Sequence, residues 1–64
     1  MRINRLKFVT ELARQDITQK ELASKAGVSR ATVNSIRSGK SCSDATGLKI
    51  AQALGVDIAK LLEE

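Results

Sequence analysis

The chain has 64 residues, 42% of them apolar, with one Cys, one Phe and neither His, Pro nor Trp. A chain of this length forms one small domain, assigned to residues 1–64, because a second hydrophobic core would need roughly a hundred further residues. With no histidine and one cysteine, it can build neither a His/Cys metal site, nor a histidine-activated nucleophile, nor an internal disulfide. We therefore expect no enzyme activity, no cofactor and no pocket for a small-molecule ligand.

Charge is distributed unevenly along the chain. There are 11 basic and seven acidic residues, a net charge of +4. Residues 1–40 hold nine basic and three acidic residues, whereas residues 41–64 hold two basic and four acidic ones. No acidic residue lies between Glu21 and Asp44. A local excess of positive charge attracts nucleic acid, an anionic membrane surface or an acidic protein, although a solvated basic face is the simpler alternative.

No segment approaches the roughly 20 apolar residues of a membrane span, and no targeting segment is recognisable. We therefore expect a soluble protein of the cytoplasm, where the single Cys42 stays reduced. The initial Met1 favours a natural N-terminus.

The first helix is predicted over about residues 4–14, where apolar residues recur at helical intervals. This spacing places Leu6, Val9 and Leu12 toward the core. The single aromatic residue, Phe8, is expected to be buried as well.

A second and a third helix follow with clear boundary signals. Thr18 and Glu21 have the spacing of a capping box, and Gly27 is the residue type that ends helices in a left-handed conformation. Ser29 is a suitable N-cap for a third helix over about residues 30–37. The two helices are thus separated only by a tight turn.

The third helix carries a narrow apolar stripe. If Val33 and Ile36 point inward, the advance of about 100° per residue turns small and polar residues outward. That outward face consists of Ala31, Asn34, Ser35 and Ser38, flanked by Arg30 and Arg37. Such a face allows another molecule to approach closely.

Two further helices complete the prediction. Ser43 or Asp44 caps a fourth helix that ends at Gly55, and Asp57 caps a short fifth helix. The apolar positions are Leu48, Ile50, Ala51 and Leu54 in the fourth helix and Ile58, Leu61 and Leu62 in the fifth. No strand signal is present, so the sequence predicts an all-α fold of five short helices.

Two helices joined by a few residues around a glycine form a helix-turn-helix. The segment from Gln19 to Ile36, QKELASKAGVSRATVNSI, resembles the helix-turn-helix of the phage Cro and repressor family, also called the XRE family. The segment 50–56, IAQALGV, is similar to the fourth-helix signature of that family. The resemblance implies a compact repressor-like DNA-binding domain, acting at the nucleoid of a bacterial or phage-infected cell.

Base contacts are expected from the N-terminal part of the third helix, because a recognition helix enters the major groove by that end. Arg30 suits guanine, Ala31 a thymine methyl group, Asn34 adenine, and Ser35 either kind of base edge. The resemblance implies Arg30, Ala31 and Ser35 as base-reading positions, whereas Asn34 follows from the outward face alone.

Phosphate contacts are expected from residues at the rim of the motif, where helix N-termini and polar or basic side chains favour an anion. These residues are Thr18, Gln19, Ser29, Ser38 and Lys40. Lys25 and Arg37 are either additional backbone contacts or solvated charges. Many relatives have Glu at the position of Arg37, so an ion pair with the first helix that is common in the family is expected to be missing.

The leading hypothesis is therefore a transcriptional regulator, a repressor rather than an activator, that binds a double-stranded DNA operator without a ligand. A homodimer is expected on DNA, with contacts from Val56, Ile58, Leu61 and Leu62. Alternatively, these side chains close the core of a monomer. Two other functions stay open: an antitoxin or antirepressor-like module that binds an acidic protein, and, less favoured without aromatic anchors, a peripheral membrane binder.

Overall fold

The computed structural model describes residues 1–62. Four α-helices follow in chain order: α1 (Arg5–Gln15), α2 (Gln19–Ala26), α3 (Arg30–Arg37) and α4 (Asp44–Leu54). A 3₁₀ turn at Ile58–Lys60 follows them. The described part of the chain contains no strand, which confirms the all-α prediction. Within the same residues, no helix has the length and apolar character needed to cross a membrane.

The predicted fifth helix is wrong in kind, because it is only a three-residue 3₁₀ turn. Asp57 does begin it, by accepting a hydrogen bond from the Ala59 N–H at 2.9 Å. The turn ends because the next residues pair with the N-terminal segment. The Leu61 carbonyl accepts from the Asn4 N–H at 2.7 Å, and Leu62 forms an antiparallel bridge with Ile3.

Each α-helix begins at a residue whose side chain accepts a hydrogen bond from a backbone N–H, which satisfies a donor that the helix leaves unpaired. The four N-caps are Asn4, Thr18, Ser29 and Ser43. The predicted starts of α2, α3 and α4 are confirmed. The end of α1 differs from the glycine exits of α2 and α4, because Asp16 takes the left-handed conformation there, with a φ of 54°.

The core lies between all four helices. Its fully buried side chains include Phe8 from α1, Leu22 from α2, Val33 and Ile36 from α3, and Ile50 from α4. Burying side chains of this size is the main source of stability in so small a domain.

Two residues predicted to face the core, Leu6 and Val9, are exposed instead, and so is Leu48, one of the predicted apolar positions of the fourth helix. Leu6 keeps 69% of its surface, Val9 keeps 37%, and Leu48 of α4 keeps 53%. On α1 the buried side chains are Phe8 and Leu12, which are four residues apart and share one face. Leu6 and Val9 therefore lie on another face of α1, outside the core.

Candidate nucleic-acid interface

The turn between α2 and α3 is fixed by backbone hydrogen bonds. Gly27 has a φ of 71°, and its N–H donates to the carbonyls of Ala23 and Ser24. The Val28 N–H donates to the Ala23 carbonyl at 3.0 Å. Since side chains with a Cβ rarely adopt this φ, glycine sets the direction in which α3 leaves the turn.

The packing of α2 against α3 fixes which face of α3 is outward. Ala23 of α2 is 4% exposed and belongs to the core, where a larger side chain would displace its neighbours. Val33 and Ile36 anchor α3 in the core. The structure thus confirms the predicted inward stripe, and the opposite face of α3 is presented to solvent.

The four predicted base-reading residues lie on or beside that outward face. Arg30, Ala31 and Asn34 are exposed, and Ser35 is half-buried. Arg30 is the first residue of α3. Within residues 1–62, its guanidinium has no hydrogen bond or ion pair, so the side chain is available to a ligand.

The N-termini of α2 and α3 offer backbone donors. The first N–H groups of an α-helix have no partner within the helix, so those of Gln19 and Lys20 in α2 and of Arg30 and Ala31 in α3 remain as donors for an anion. Gln19 is half-buried and Lys20 is exposed. Lys20 was not predicted as a contact, although its position two residues after the Thr18 cap was a readable signal.

Glu21 is the acidic residue closest in sequence to the start of α2, and the capping box holds its carboxylate. The carboxylate accepts from the Thr18 N–H at 3.1 Å, while the Thr18 hydroxyl accepts from the Glu21 N–H at 3.1 Å. The backbone hydrogen bond from Thr18 lowers the pKa of Glu21 below its usual value. The hydrogen bonds of the capping box therefore tie the carboxylate to the helix end.

Two serine hydroxyls predicted to contact phosphate already make internal hydrogen bonds. Ser29 accepts from the Thr32 N–H at 3.1 Å and shares a hydrogen bond of 2.9 Å with the Thr32 hydroxyl. The Ser38 hydroxyl donates to the Asn34 carbonyl at 2.9 Å. Because Ser38 uses its only hydroxyl proton in this way, a phosphate contact would require that bond to break.

The loop after α3 positions Lys40. Its N–H donates to the Ser35 carbonyl at 3.0 Å. Farther along, the Cys42 N–H donates to the Met1 carbonyl at 2.8 Å, and the Met1 amino group donates to the Cys42 carbonyl at 2.7 Å. The loop is thereby held at both ends. Three further basic side chains of the acid-free window are exposed with Arg30: Lys25, Arg37 and Lys40.

The four residues predicted for a dimer contact differ in burial. Leu61 is 1% exposed and belongs to the core, so its side chain offers no surface to a second chain. Val56 and Ile58 are partly buried and pack against the core. Leu62 is half-buried. The C-terminal segment thus contributes to the monomer core more than the sequence suggested.

These features define a helix-turn-helix domain formed by α2 and α3. The first two residues of α3, Arg30 and Ala31, are exposed. The helix-turn-helix family model matches residues 11–61, and the chain belongs to this family, in its XRE-type branch of DNA-binding regulators. No curated protein matches the chain.

Two solved structures resemble this fold. A variant of hydroxyethylphosphonate dioxygenase superimposes with a TM-score of 0.88, and native PhpD with cadmium atoms with a TM-score of 0.85. Each is 22% identical over 100% of this chain. This chain spans only 14% of the length of either protein, and the likeness shows the fold alone.

Proposed function

We propose that this chain is a sequence-specific regulator of transcription, a repressor, that reads the major groove of a double-stranded DNA operator with α3. The observation that supports the proposal is the exposure of Arg30 and its lack of an internal partner in the described chain. Arg30 is the first residue of α3, beyond a turn fixed by Gly27. A helix that enters the groove by its N-terminal end brings such a residue to the base edges.

Each outward residue of α3 suits a different base feature. Arg30 can donate two hydrogen bonds to guanine O6 and N7, which is the most common specific contact in the major groove. Asn34 suits adenine, and the methyl group of Ala31 suits the thymine methyl. Ser35, which is half-buried, reaches a base only if the helix docks closely.

Residues at the edge of the helix-turn-helix bind the DNA phosphates on either side of the major groove. The free N–H groups at the start of α2, with the side chains of Gln19 and Lys20, face one strand. Lys40, held beside the end of α3, faces the backbone at the other side. Such contacts orient the domain without reading sequence.

We further propose that the domain acts by binding and not by catalysis, in the cytoplasm, and that two copies occupy two half-sites. Half-sites one helical turn apart suit a pair of such domains related by two-fold symmetry. Val56, Ile58 and Leu62 remain candidates for the contact between copies. The activity of the dioxygenase belongs to a protein of which this chain spans 14%.

Selection of bound sequences from random duplex DNA tests the proposal. We expect a short enriched motif and an affinity that falls steeply with salt, because several phosphates release counterions on binding. Leu48→Gln is a suitable control, since Leu48 is exposed on α4, outside α2 and α3. No enriched motif, or an affinity independent of sequence, contradicts the proposal and favours a protein partner.

A further inference from the structure

The outer face of α1 carries an apolar stripe that nothing in the described chain covers. Leu6, Val9 and Ala13 are three and four residues apart, so they share one face of the helix, and all three are exposed. Single exposed apolar residues are common, whereas adjacent ones on one helix mark an interaction surface. We call these three residues the α1 stripe.

A groove borders the stripe on each side. The first groove lies between α1 and α3 and is lined by Arg5, Leu6, Val9 and Arg37. The second groove lies between α1 and the C-terminal turn; its lining residues are Leu6, Lys7, Thr10, Glu11, Lys60 and Leu61. Leu6 therefore forms the ridge between two shallow grooves, which is a shape that receives side chains from one face of a partner helix.

The borders of the stripe are cationic. Arg5 and Arg37 are both exposed in the first groove, and Lys60 is exposed in the second. Among residues 1–62, Glu11 is the one acidic residue that lines either groove. Its carboxylate accepts hydrogen bonds from Arg14 and from Gln15, and the Arg14 bond lowers the pKa of Glu11. The Glu11 charge is thus already engaged.

This charge pattern distinguishes between two molecules that could cover the stripe: a second copy of this chain and an acidic segment of another protein. In a two-fold dimer through the stripe, each copy would place the same surface against its partner, so that the basic residues Arg5, Arg37 and Lys60 of one copy would lie near those of the other. Like charges brought together across an interface oppose binding. A segment with acidic residues on both sides of an apolar face is complementary instead.

We propose that the α1 stripe binds an acidic amphipathic helix of another protein. Apolar side chains of the partner, three or four residues apart, enter the grooves on either side of Leu6, and its carboxylates pair with Arg5, Arg37 and Lys60. This is the helix-in-groove mode of recognition. Apart from Arg37, which flanks the outward face of α3, the residues of this site lie outside the proposed DNA contact, so the site adds a protein contact to a DNA-binding domain.

A displayed library of random helical peptides, selected against the purified 64-residue chain, tests the proposal. The enriched peptides should be net acidic and carry an apolar i, i+3 or i+4 pair. Leu6→Gln and Val9→Gln should each weaken their binding about tenfold or more. Arg37→Gln should weaken it several-fold, less so at high salt. Leu48→Gln and Lys49→Gln, an exposed pair on α4, are matched controls that should leave binding unchanged.

Other outcomes overturn the proposal. Enriched peptides that are neutral or basic, or that bind Leu6→Gln as well as the parent chain, exclude this site. Sedimentation showing a dimer that Leu6→Gln dissociates assigns the stripe to a second copy. A loss of affinity for duplex DNA in Leu6→Gln, with thermal unfolding unchanged, assigns it to DNA.

Discussion

Replacing Arg30 by Ala separates base reading from general attraction to DNA. The guanidinium has no partner in the described chain and is exposed, so its removal breaks no internal interaction. A positive charge at the N-terminus of α3 also opposes the helix dipole. The free energy of unfolding should therefore change by less than about 0.5 kcal/mol, or rise slightly.

The loss should appear in DNA binding alone. A bidentate contact to guanine contributes about 1–3 kcal/mol of discrimination, which corresponds to roughly 5- to 150-fold in Kd. Fluorescence anisotropy on the selected duplex and on variants with one base pair changed measures this. Arg30→Ala should bind the selected duplex more weakly and discriminate less at one base pair, with unchanged discrimination elsewhere.

Lys40→Ala is the matched comparison, because Lys40 is also basic and exposed but is expected to contact phosphate. It should weaken all sequences alike and reduce the slope of log Kd against log salt by about 1. If Arg30→Ala also weakens all sequences equally, its assignment to a base edge is wrong.

Three further predictions concern stability. Phe8→Ala should lower the free energy of unfolding, measured in urea titrations, by about 3–5 kcal/mol, whereas Leu6→Ala should change it by less than about 0.5 kcal/mol. Equal losses of stability in the two variants would show that the α1 stripe is packed in solution. Asp16→Gly should stabilise the chain by roughly 0.5–1 kcal/mol, because glycine adopts the observed φ of 54° without strain and removes a negative charge from the end of α1; a lower melting temperature would contradict this. The pKa of Glu21 is lowered in the folded state, so its contribution to stability is present above the pKa of the unfolded chain and is lost as pH falls through the folded value. The difference in melting temperature between the parent chain and Glu21→Gln should therefore shrink on acidification below about pH 4, and a difference that grows would refute the capping-box interpretation.

The helix boundaries were predictable because their causes are local. The Thr18 and Ser43 side chains each accept a backbone N–H three residues ahead, and Gly27 bonds to carbonyls within four residues of itself. Such interactions depend on few neighbours in sequence, so residue type and spacing indicate them directly. The same reasoning identified the Asp57 cap, but it could not predict that pairing between Leu61 and Asn4 would end that helix after one turn.

The buried face of α1 was not predictable in the same way. Two apolar stripes run along this helix, one through Leu6 and Val9 and the other through Phe8 and Leu12. Periodicity shows that each pair shares a face, but contacts with distant parts of the chain decide which face is buried. The large aromatic side chain of Phe8 is fully buried in the core, and Leu6, on the other face, is turned outward.

The outward face of α3 could be predicted from the sequence, but the hydrogen bonds of its side chains could not. Val33 and Ile36 fixed the inward direction of α3, from which the exposure of Arg30 and Asn34 followed. The internal hydrogen bond of the Ser38 hydroxyl did not follow from the sequence, because it depends on the geometry of the last turn of α3.

In the proposed complex, α3 and the start of α2 contact DNA. Titration of the isotope-labelled chain with its selected duplex, followed by amide chemical shifts, locates the contact directly. We expect the largest changes at residues 18–20 and 29–35 and at Lys40, with small changes in the middle of α4. Changes concentrated in α1 or α4, with residues 29–35 unaffected, would contradict it.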